Sequence, residues 1–161
     1  MWVKEVEKYR QLEDKGVKVT LWILILIASA AAWIFTFLVG LNPLNTIFYG
    51  LLLATIDFIV EALGDYFDLW HSYKSILKIL GVPVEVTLTC IFLGSLWALL
   101  IPSDFHMIAL YVWCTALTGT IIEQILIKKE HIRYGENWSG LHAFITYIIV
   151  FSIIGYLVVV G

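Results

Sequence analysis

Apolar residues occur along this chain in long blocks separated by short polar segments. No ionisable residue lies between Val19 and Ile56, and this stretch is long enough for nearly two membrane spans of about 20 residues each. The segment Asn42-Pro43-Leu44-Asn45 interrupts it, and a proline flanked by asparagines is a strong turn signal. The pattern predicts a first span at about residues 18–40 and a second at about residues 44–64.

Three further apolar blocks predict spans at about residues 84–101, 105–127 and 139–160. Between the second and third spans, no helix breaker occurs before Gly81 and Pro83. We therefore expect the second helix to continue beyond the membrane as one long or kinked helix, or residues 64–82 to form a separate re-entrant or surface helix. Overall, the pattern predicts an all-α, polytopic bundle of five transmembrane helices, a single domain over residues 18–161 after a polar tail over residues 1–17.

The composition supports a membrane protein. Of the 161 residues, 61% are hydrophobic and 14% are charged, whereas soluble domains are about 45–50% apolar and about 25% charged. A soluble chain of about 150 residues buries only some 70% of its surface, too little to hide this much apolar area. A net charge of −3 gives no basic footprint, so we expect no nucleic-acid partner.

The basic residues predict the orientation, because Lys and Arg avoid the translocated side. All ten precede the first span, follow the second or follow the fourth, and the opposite loops contain none. We therefore expect a multi-pass protein of the cell membrane, with a cytoplasmic N-terminus and an external C-terminus.

Acidic residues cluster on one predicted face of the second helix. On a helix of about 100° per residue, Asp57, Glu61, Asp65, Asp68 and His71 share an arc of about 120°. A carboxylate at membrane depth costs roughly 2.5–3.5 kcal/mol on insertion scales, and Lys and Arg are absent from the interior of every predicted span. Some of these acids must therefore be protonated or hold a cation.

Other spans contribute ionisable residues near the same membrane face, namely Glu85, Glu123 and His142. We expect a cytoplasm-facing acidic pocket that binds a metal ion, a proton or a cationic group. The alternative leaves Asp65, Asp68 and His71 in solvent and makes Glu85 a first-turn acid favoured by the helix dipole.

Each candidate residue has a predicted role in this pocket. The catalytic residues are Glu61, Asp65 and Glu123. The substrate-binding residues are Asp57, Trp70 and His142. The metal ligands are Asp65, Asp68, His71 and Glu85, and such hard oxygen donors suit Mg²⁺ or Mn²⁺.

A short motif follows the acidic face. Asp65, Trp70, Gly81, Pro83 and Glu85 match, in type and order, a pattern of the lycopene cyclase-type membrane domain, which this segment of about 25 residues resembles. Val86 replaces the second acidic residue of the family's Pro-x-Glu-Glu motif. The resemblance implies an enzyme of isoprenoid metabolism, and the substitution argues against the cyclisation itself. The chain also resembles small membrane proteins regarded as transporters.

Three functions fit these features. The favoured one is an intramembrane enzyme that acts on a lipid or isoprenoid by carboxylate acid–base or divalent-metal chemistry, because the acids lie toward one membrane face. The second is a proton- or cation-coupled transporter, for which the small residues Gly50, Ala54 and Gly64 would let helices approach closely in a homo-oligomer. The third is an accessory membrane subunit without enzymatic activity.

Overall fold

The computed structural model describes residues 20–160, so the predicted tail over residues 1–17 lies outside the described residues. The described part contains the helices α1 Leu21–Leu38, α2 Ile47–Tyr66, α3 Val84–Leu99, α4 Phe105–Lys128 and α5 Gly140–Val160. A 3₁₀ turn, Pro43–Thr46, leads into α2, and the side chain of Asn42 accepts a hydrogen bond from Leu44 N to cap it. The helices therefore coincide with the predicted apolar blocks to within a few residues.

Within residues 20–160, four helical segments are long and apolar enough to cross a membrane: Leu21–Leu38, Pro43–Tyr66, Phe105–Lys128 and Gly140–Val160. Their outward surfaces carry large apolar side chains, and Leu38 and Phe105 are each 78% exposed. Such surfaces favour lipid over water. The prediction of a mostly helical chain with several helices able to span a membrane is therefore confirmed. Helix α3 has 16 residues, or about 24 Å at 1.5 Å per residue, and is shorter than the hydrocarbon core of about 30 Å.

The segment that follows α2 is not helical. Helix α2 ends at Tyr66, and the chain then forms the short strands β1 Trp70–Ser72, β2 Lys78–Ile79 and β3 Val82–Pro83. Asp68, Lys74 and Leu80 have φ angles of 56°, 57° and 52°, which a right-handed helix excludes. The predicted helical continuation and the alternative surface helix are therefore both wrong.

The strands connect distant parts of the chain. Strand β1 pairs antiparallel with β4, Ile132–Tyr134, which follows α4, while β2 pairs with β3 in a tight hairpin. The β1–β4 pair joins the segment after α2 to the segment after α4. It therefore holds the ends of these two helices near each other.

Close backbone contact joins α2 to α3. A Cβ atom on Gly50 would overlap the carbonyl oxygen of Ile91, and one on Gly94 would lie 3.0 Å from Gly50 Cα. Only glycine permits this separation, and small residues at such contacts are typical of helix pairs in membranes. The close helix approach predicted at Gly50 is therefore present between two helices of the same chain.

Ser95 lies at the centre of a hydrogen-bond network that connects three elements. Its side chain is fully buried, and its Oγ donates to Pro43 O at 2.7 Å and accepts from Trp33 Nε1 at 3.1 Å. Thr46 Oγ1 donates to Ser95 O at 2.7 Å. These buried and partly buried hydrogen bonds connect α1, the 3₁₀ turn and α3.

Replacing Ser95 with alanine is expected to lower the free energy of unfolding by about 1–3 kcal/mol, because it removes the acceptor of the partly buried Trp33 indole N–H and the shorter of two hydrogen bonds to Pro43 O. The measurement is thermal unfolding of the purified protein in detergent. Ser152→Ala, at an exposed position on α5, is the matched control. Equal melting temperatures for the two variants would contradict a structural role for Ser95.

Candidate functional site, an acidic and aromatic cavity

A cavity of about 100 Å³ lies among α2, α3, α4 and α5. Helix α2 contributes Leu53, Asp57, Val60 and Glu61, which recur at helical spacing on one face. Helix α5 contributes Ala143, Thr146, Tyr147, Val150 and Phe151 with the same periodicity. Cys90 of α3 and Glu123 of α4 complete the helical walls, and Trp70 and Trp138 line the end at the β1–β4 pair.

Three carboxylic acids therefore face one cavity. Asp57 lies beside the thiol of Cys90, and Glu61 accepts a long hydrogen bond of 3.4 Å from Ser72 Oγ of β1. Glu123 is buried, and the hydroxyls of Tyr134 and Tyr147 lie beside its carboxyl group. No lysine or arginine is among the described residues that line this cavity. Its acids have no basic side chain within the lining to neutralise them.

Tyr134 lies in β4, outside the helices, and supports Glu123. Burial and the adjacent Glu123 carboxylate raise the pKa of the Tyr134 hydroxyl above its ordinary range. The hydroxyl therefore keeps its proton and remains a donor to Glu123.

Two tryptophans close one end of the cavity. The rings of Trp70 and Trp138 are 4.5 Å apart between centroids, and Trp70 packs directly on Gly64, where any Cβ would overlap its ring. Strand β1 is fixed at both ends, since Gly135 N donates to Leu69 O at 2.7 Å and Tyr73 N donates to His131 O at 2.7 Å. We call Trp70, Trp138 and the β1–β4 pair the aromatic cap.

Three polar atoms on residues that line the cavity have no partner. Asp57 Oδ2, Trp70 Nε1 and Trp138 Nε1 are all shielded from solvent and make no hydrogen bond. The indole N–H of Trp70 is near Glu61 but outside hydrogen-bond geometry. Buried polar groups are nearly always satisfied in native proteins, so one unpaired acceptor and two unpaired donors indicate a missing ligand or water.

Asp65, Asp68 and His71 form a separate cluster at the end of α2. His71 Nδ1 lies 2.7 Å from Asp65 Oδ1, and His71 Nε2 lies 2.6 Å from Asp68 Oδ1. Both ring nitrogens can donate only in the imidazolium form. Burial alone lowers the pKa of His71, but the hydrogen bonds and charges of Asp65 and Asp68 outweigh it and raise the pKa above 6.5.

This cluster predicts a pH-dependent contribution to stability. Because the folded-state pKa of His71 is raised, the contribution is complete below about pH 6.5, the unfolded value, and disappears as pH rises through the folded pKa. We expect the difference in melting temperature between the wild type and His71→Gln to shrink across that range. His106→Gln, at an exposed position, is the control. A difference that does not vary with pH would contradict a charged His71.

Both carboxylate oxygens of Glu85 bind the turn that precedes β2. Its side chain is only 6% exposed, and its two oxygens accept hydrogen bonds from Ile76 N at 2.6 Å and Ser75 Oγ at 3.0 Å. It therefore holds the turn before β2 against the start of α3. Among the described residues, no group of three or more His, Cys, Asp or Glu side chains is arranged to hold a metal ion, and the predicted metal ligands divide between the His71 cluster and this turn.

Of the predicted site residues, the structure brings Asp57, Glu61, Glu123 and Trp70 together in the cavity. Asp65 instead bonds to His71 and lies against Gly81. His142 lies outside the lining, stacks on Trp138 with centroids 5.3 Å apart and bonds to Ser139. The convergence of Asp68 and His71 with Asp65 arises from the turn after α2, not from a common helical face.

The sequence reasoning missed Cys90, Trp138, Thr146 and Tyr147. Thr146 and Tyr147 belong to the stripe Ala143, Thr146, Tyr147, Val150 and Phe151, whose spacing of three and four residues marks one helix face. His142 is about 100° from Ala143 around that helix, so it points elsewhere. The polar and aromatic residues of this stripe were a visible signal in an otherwise aliphatic span.

Comparisons with protein-family models, with curated proteins and with solved structures found no match to this chain.

Proposed function

We propose that this protein is a multi-pass membrane transporter that exchanges protons for a small cation through the acidic cavity. The observation that carries the proposal is the convergence of Asp57, Glu61 and Glu123 on one cavity without a basic residue among its described lining. A set of carboxylic acids in a low-dielectric site is neutral when protonated and attracts cations when ionised. Competition between protons and a cation for the same acids is the chemical basis of coupled exchange.

The depth of the acids supports transport. Asp57 lies ten residues after the start of α2 and nine before its end, or about 15 Å from one end and about 13 Å from the other at 1.5 Å per residue. Glu61 lies one turn nearer the aromatic cap. The site therefore reaches from mid-helix toward one end, and coupled transport sites typically lie near the bilayer midplane.

The proposed topology has five spans, with α3 as the fifth, a cytoplasmic N-terminus and an external C-terminus. Its support is the position of the described basic residues. Lys74 Nζ donates to Lys129 O at 2.7 Å, and His71 of β1 pairs with Arg133 of β4, so the segments after α2 and α4 lie together on one side. Positive residues mark the cytoplasmic side.

A reporter fused after residue 161 tests this topology. We expect alkaline phosphatase at this position to be active and green fluorescent protein to be dark, because the C-terminus is external. The reversed pattern would remove one span from the proposal. A fusion in the loop after α4, near Glu136, serves as the opposite-side control.

An intramembrane enzyme acting on a lipid or isoprenoid is the second candidate. It is favoured by the position of Glu123 beside the hydroxyls of Tyr134 and Tyr147, because a carboxyl group with adjacent phenols is suited to proton transfer. The apolar lining by Leu53, Val60 and Val150 would accept a hydrocarbon. An enzyme would convert a component of a membrane lipid extract, and mass spectrometry would detect the product.

Proton movement in liposomes tests the main proposal. The full chain is reconstituted in liposomes that contain a pH-sensitive dye, and inward gradients of Na⁺, K⁺, tetramethylammonium or ethanolamine are imposed in turn. We expect at least one cation to drive protons outward faster than in protein-free liposomes. If no cation moves protons while the protein is folded, the transporter proposal is wrong, and lipid turnover becomes the next assay.

A further inference from the structure

We propose that the ligand of the acidic cavity is a short aliphatic ammonium compound that also carries a hydrogen-bond acceptor, such as an amino alcohol. This inference rests on the proposed function for the site and specifies its substrate class. It is carried by the unpaired atoms of the cavity together with its size and its aromatic lining.

The three unpaired atoms indicate which hydrogen-bonding groups a ligand needs in order to pair with them. Asp57 Oδ2 is an acceptor without a donor, and Trp70 Nε1 and Trp138 Nε1 are donors without an acceptor. Trp70 is only 7% exposed, so water outside the protein does not satisfy its indole N–H. A ligand that pairs with all three atoms must donate at one end and accept at the other.

The acidic lining of the cavity indicates that the hydrogen-bond donor of the ligand is positively charged. The lining contains three carboxylic acids and no lysine or arginine among its described residues, so the donating group is a cation. Trp70, Trp138, Tyr147 and Phe151 also line the cavity, and the faces of aromatic rings attract ammonium groups. A primary ammonium group combines this attraction with N–H donors for Asp57.

The arrangement of the acids favours a polyatomic cation over a bare ion. Asp57 and Glu61 lie on α2, whereas Glu123 lies on α4 beside the hydroxyls of Tyr134 and Tyr147. These three side chains do not form a group that could surround one metal ion in the described structure. Separate acids can instead contact separate atoms of a larger ligand.

The volume limits how much of a ligand the cavity can enclose. A cavity of about 150 Å³ is sufficient for benzene, and this one has about 100 Å³. The ligand therefore has about four or five non-hydrogen atoms inside the cavity. Ethanolamine has four non-hydrogen atoms, an ammonium group and a hydroxyl, and is the appropriate probe.

Titration calorimetry with the full chain in phosphatidylcholine nanodiscs tests the inference. We expect ethanolamine to bind most tightly and ethylammonium, which lacks the acceptor, to bind more weakly. Ethylene glycol, which lacks the charge, and Na⁺ or K⁺ should bind at least tenfold more weakly than ethanolamine. Equal binding of alkali ions, or tight binding of ethylene glycol, would overturn the assignment.

Two variants separate the charge from the acceptor. Asp57→Asn should weaken the binding of both amines at least tenfold. Trp70→Phe removes one indole N–H and keeps an aromatic face, so it should weaken ethanolamine binding about three- to tenfold and weaken ethylammonium binding clearly less. Ethylammonium thus reports whether this variant folds. Trp113→Phe, at an exposed position, is the matched control. An equal loss for both amines in Trp70→Phe would overturn the role of the acceptor.

A lipid headgroup can present the same ammonium group. Binding of free ethanolamine that disappears when phosphatidylethanolamine is added to the nanodiscs would assign the ammonium to the headgroup, and unchanged binding would assign it to the soluble amine. The ligand assignment and the proposed function can be rejected separately. Proton movement with Na⁺ but no amine binding would reject the ligand class alone, whereas amine binding without any cation-driven proton movement would reject transport alone.

Discussion

Replacing Asp57 with asparagine is expected to reduce cation-driven proton movement in liposomes by at least tenfold without lowering the melting temperature. Asparagine has the same shape as aspartate but cannot exchange a proton or carry the charge that attracts a cation. It also removes a carboxyl group whose Oδ2 is buried without a partner, and burying such a charge is unfavourable. Loss of function with retained or increased stability is the signature of a functional acid in an unfavourable environment.

We expect the corresponding variants of the other two acids to differ in how strongly they affect transport and stability. Glu61→Gln should reduce proton movement as strongly, because Glu61 lies one helical turn from Asp57 in the same cavity and has only a long hydrogen bond to Ser72. Glu123→Gln should have a smaller effect on transport and a larger effect on stability, because Glu123 is buried beside two tyrosine hydroxyls. Glu136→Gln, at an exposed position outside the cavity, is the control. Full transport by Asp57→Asn would mean that the cavity is not on the path.

Replacing Gly64 with alanine is expected to remove Trp70 from the cavity wall. A Cβ at this position would overlap the six-membered ring of Trp70, and overpacking of this kind costs about 1–3 kcal/mol. The variant should therefore melt at a lower temperature and lose ligand binding at the cavity. Gly140→Ala is the control, because the nearest atom to its Cβ would be the flexible end of Gln124 at 3.1 Å.

A double variant identifies the cause of this effect. If the added methyl group acts by displacing Trp70, then Trp70→Leu should remove most of the additional destabilisation caused by Gly64→Ala. The expected result is a coupling free energy of about 1 kcal/mol or more between the two positions. Strictly additive effects would mean that Gly64 is required for another reason, such as the backbone conformation at the end of α2.

The helices and part of the site were predictable from the sequence for simple physical reasons. Uninterrupted apolar blocks ended by Asn42-Pro43 and Ile101-Pro102 leave little freedom in where helices begin and end. Asp57, Glu61 and Glu123 lie within such blocks, and each must avoid lipid by facing the interior of the bundle. Their convergence on one cavity follows from that requirement.

The environment of the acidic cluster beyond Tyr66 was not predictable from local periodicity. No proline or glycine occurs between Asp65 and Leu80, so the pattern gave no reason to end the helix. The chain turns at Asp68 and Lys74 by adopting positive φ at non-glycine residues, and a partner strand some 60 residues later along the chain provides the hydrogen bonds. Local helical periodicity cannot reveal a strand pairing between segments so far apart in sequence.

The resemblance to the lycopene cyclase-type domain stays a prediction. Its matching residues have distinct local contacts, since Glu85 binds the turn at Ser75 and Ile76 and Asp65 binds His71. Trp70 alone among them lines the cavity. An activity inherited from that family would therefore have to use acids outside the matched motif, chiefly Asp57 and Glu61.

The β1–β4 pair also determines which parts of this protein can move past one another. Because three residues on each strand are joined by the ladder, the cap end of α2 and the cap end of α4 form one mechanical unit. Helix α5 also lines the cavity and follows β4 after residues 135–139, so the cavity can open on this side without breaking the ladder if α5 moves against that unit. Hydrogen exchange should therefore be slow at the amides of residues 70–72 and 132–134, and any ligand-dependent change should be concentrated at Trp138 and the first turns of α5.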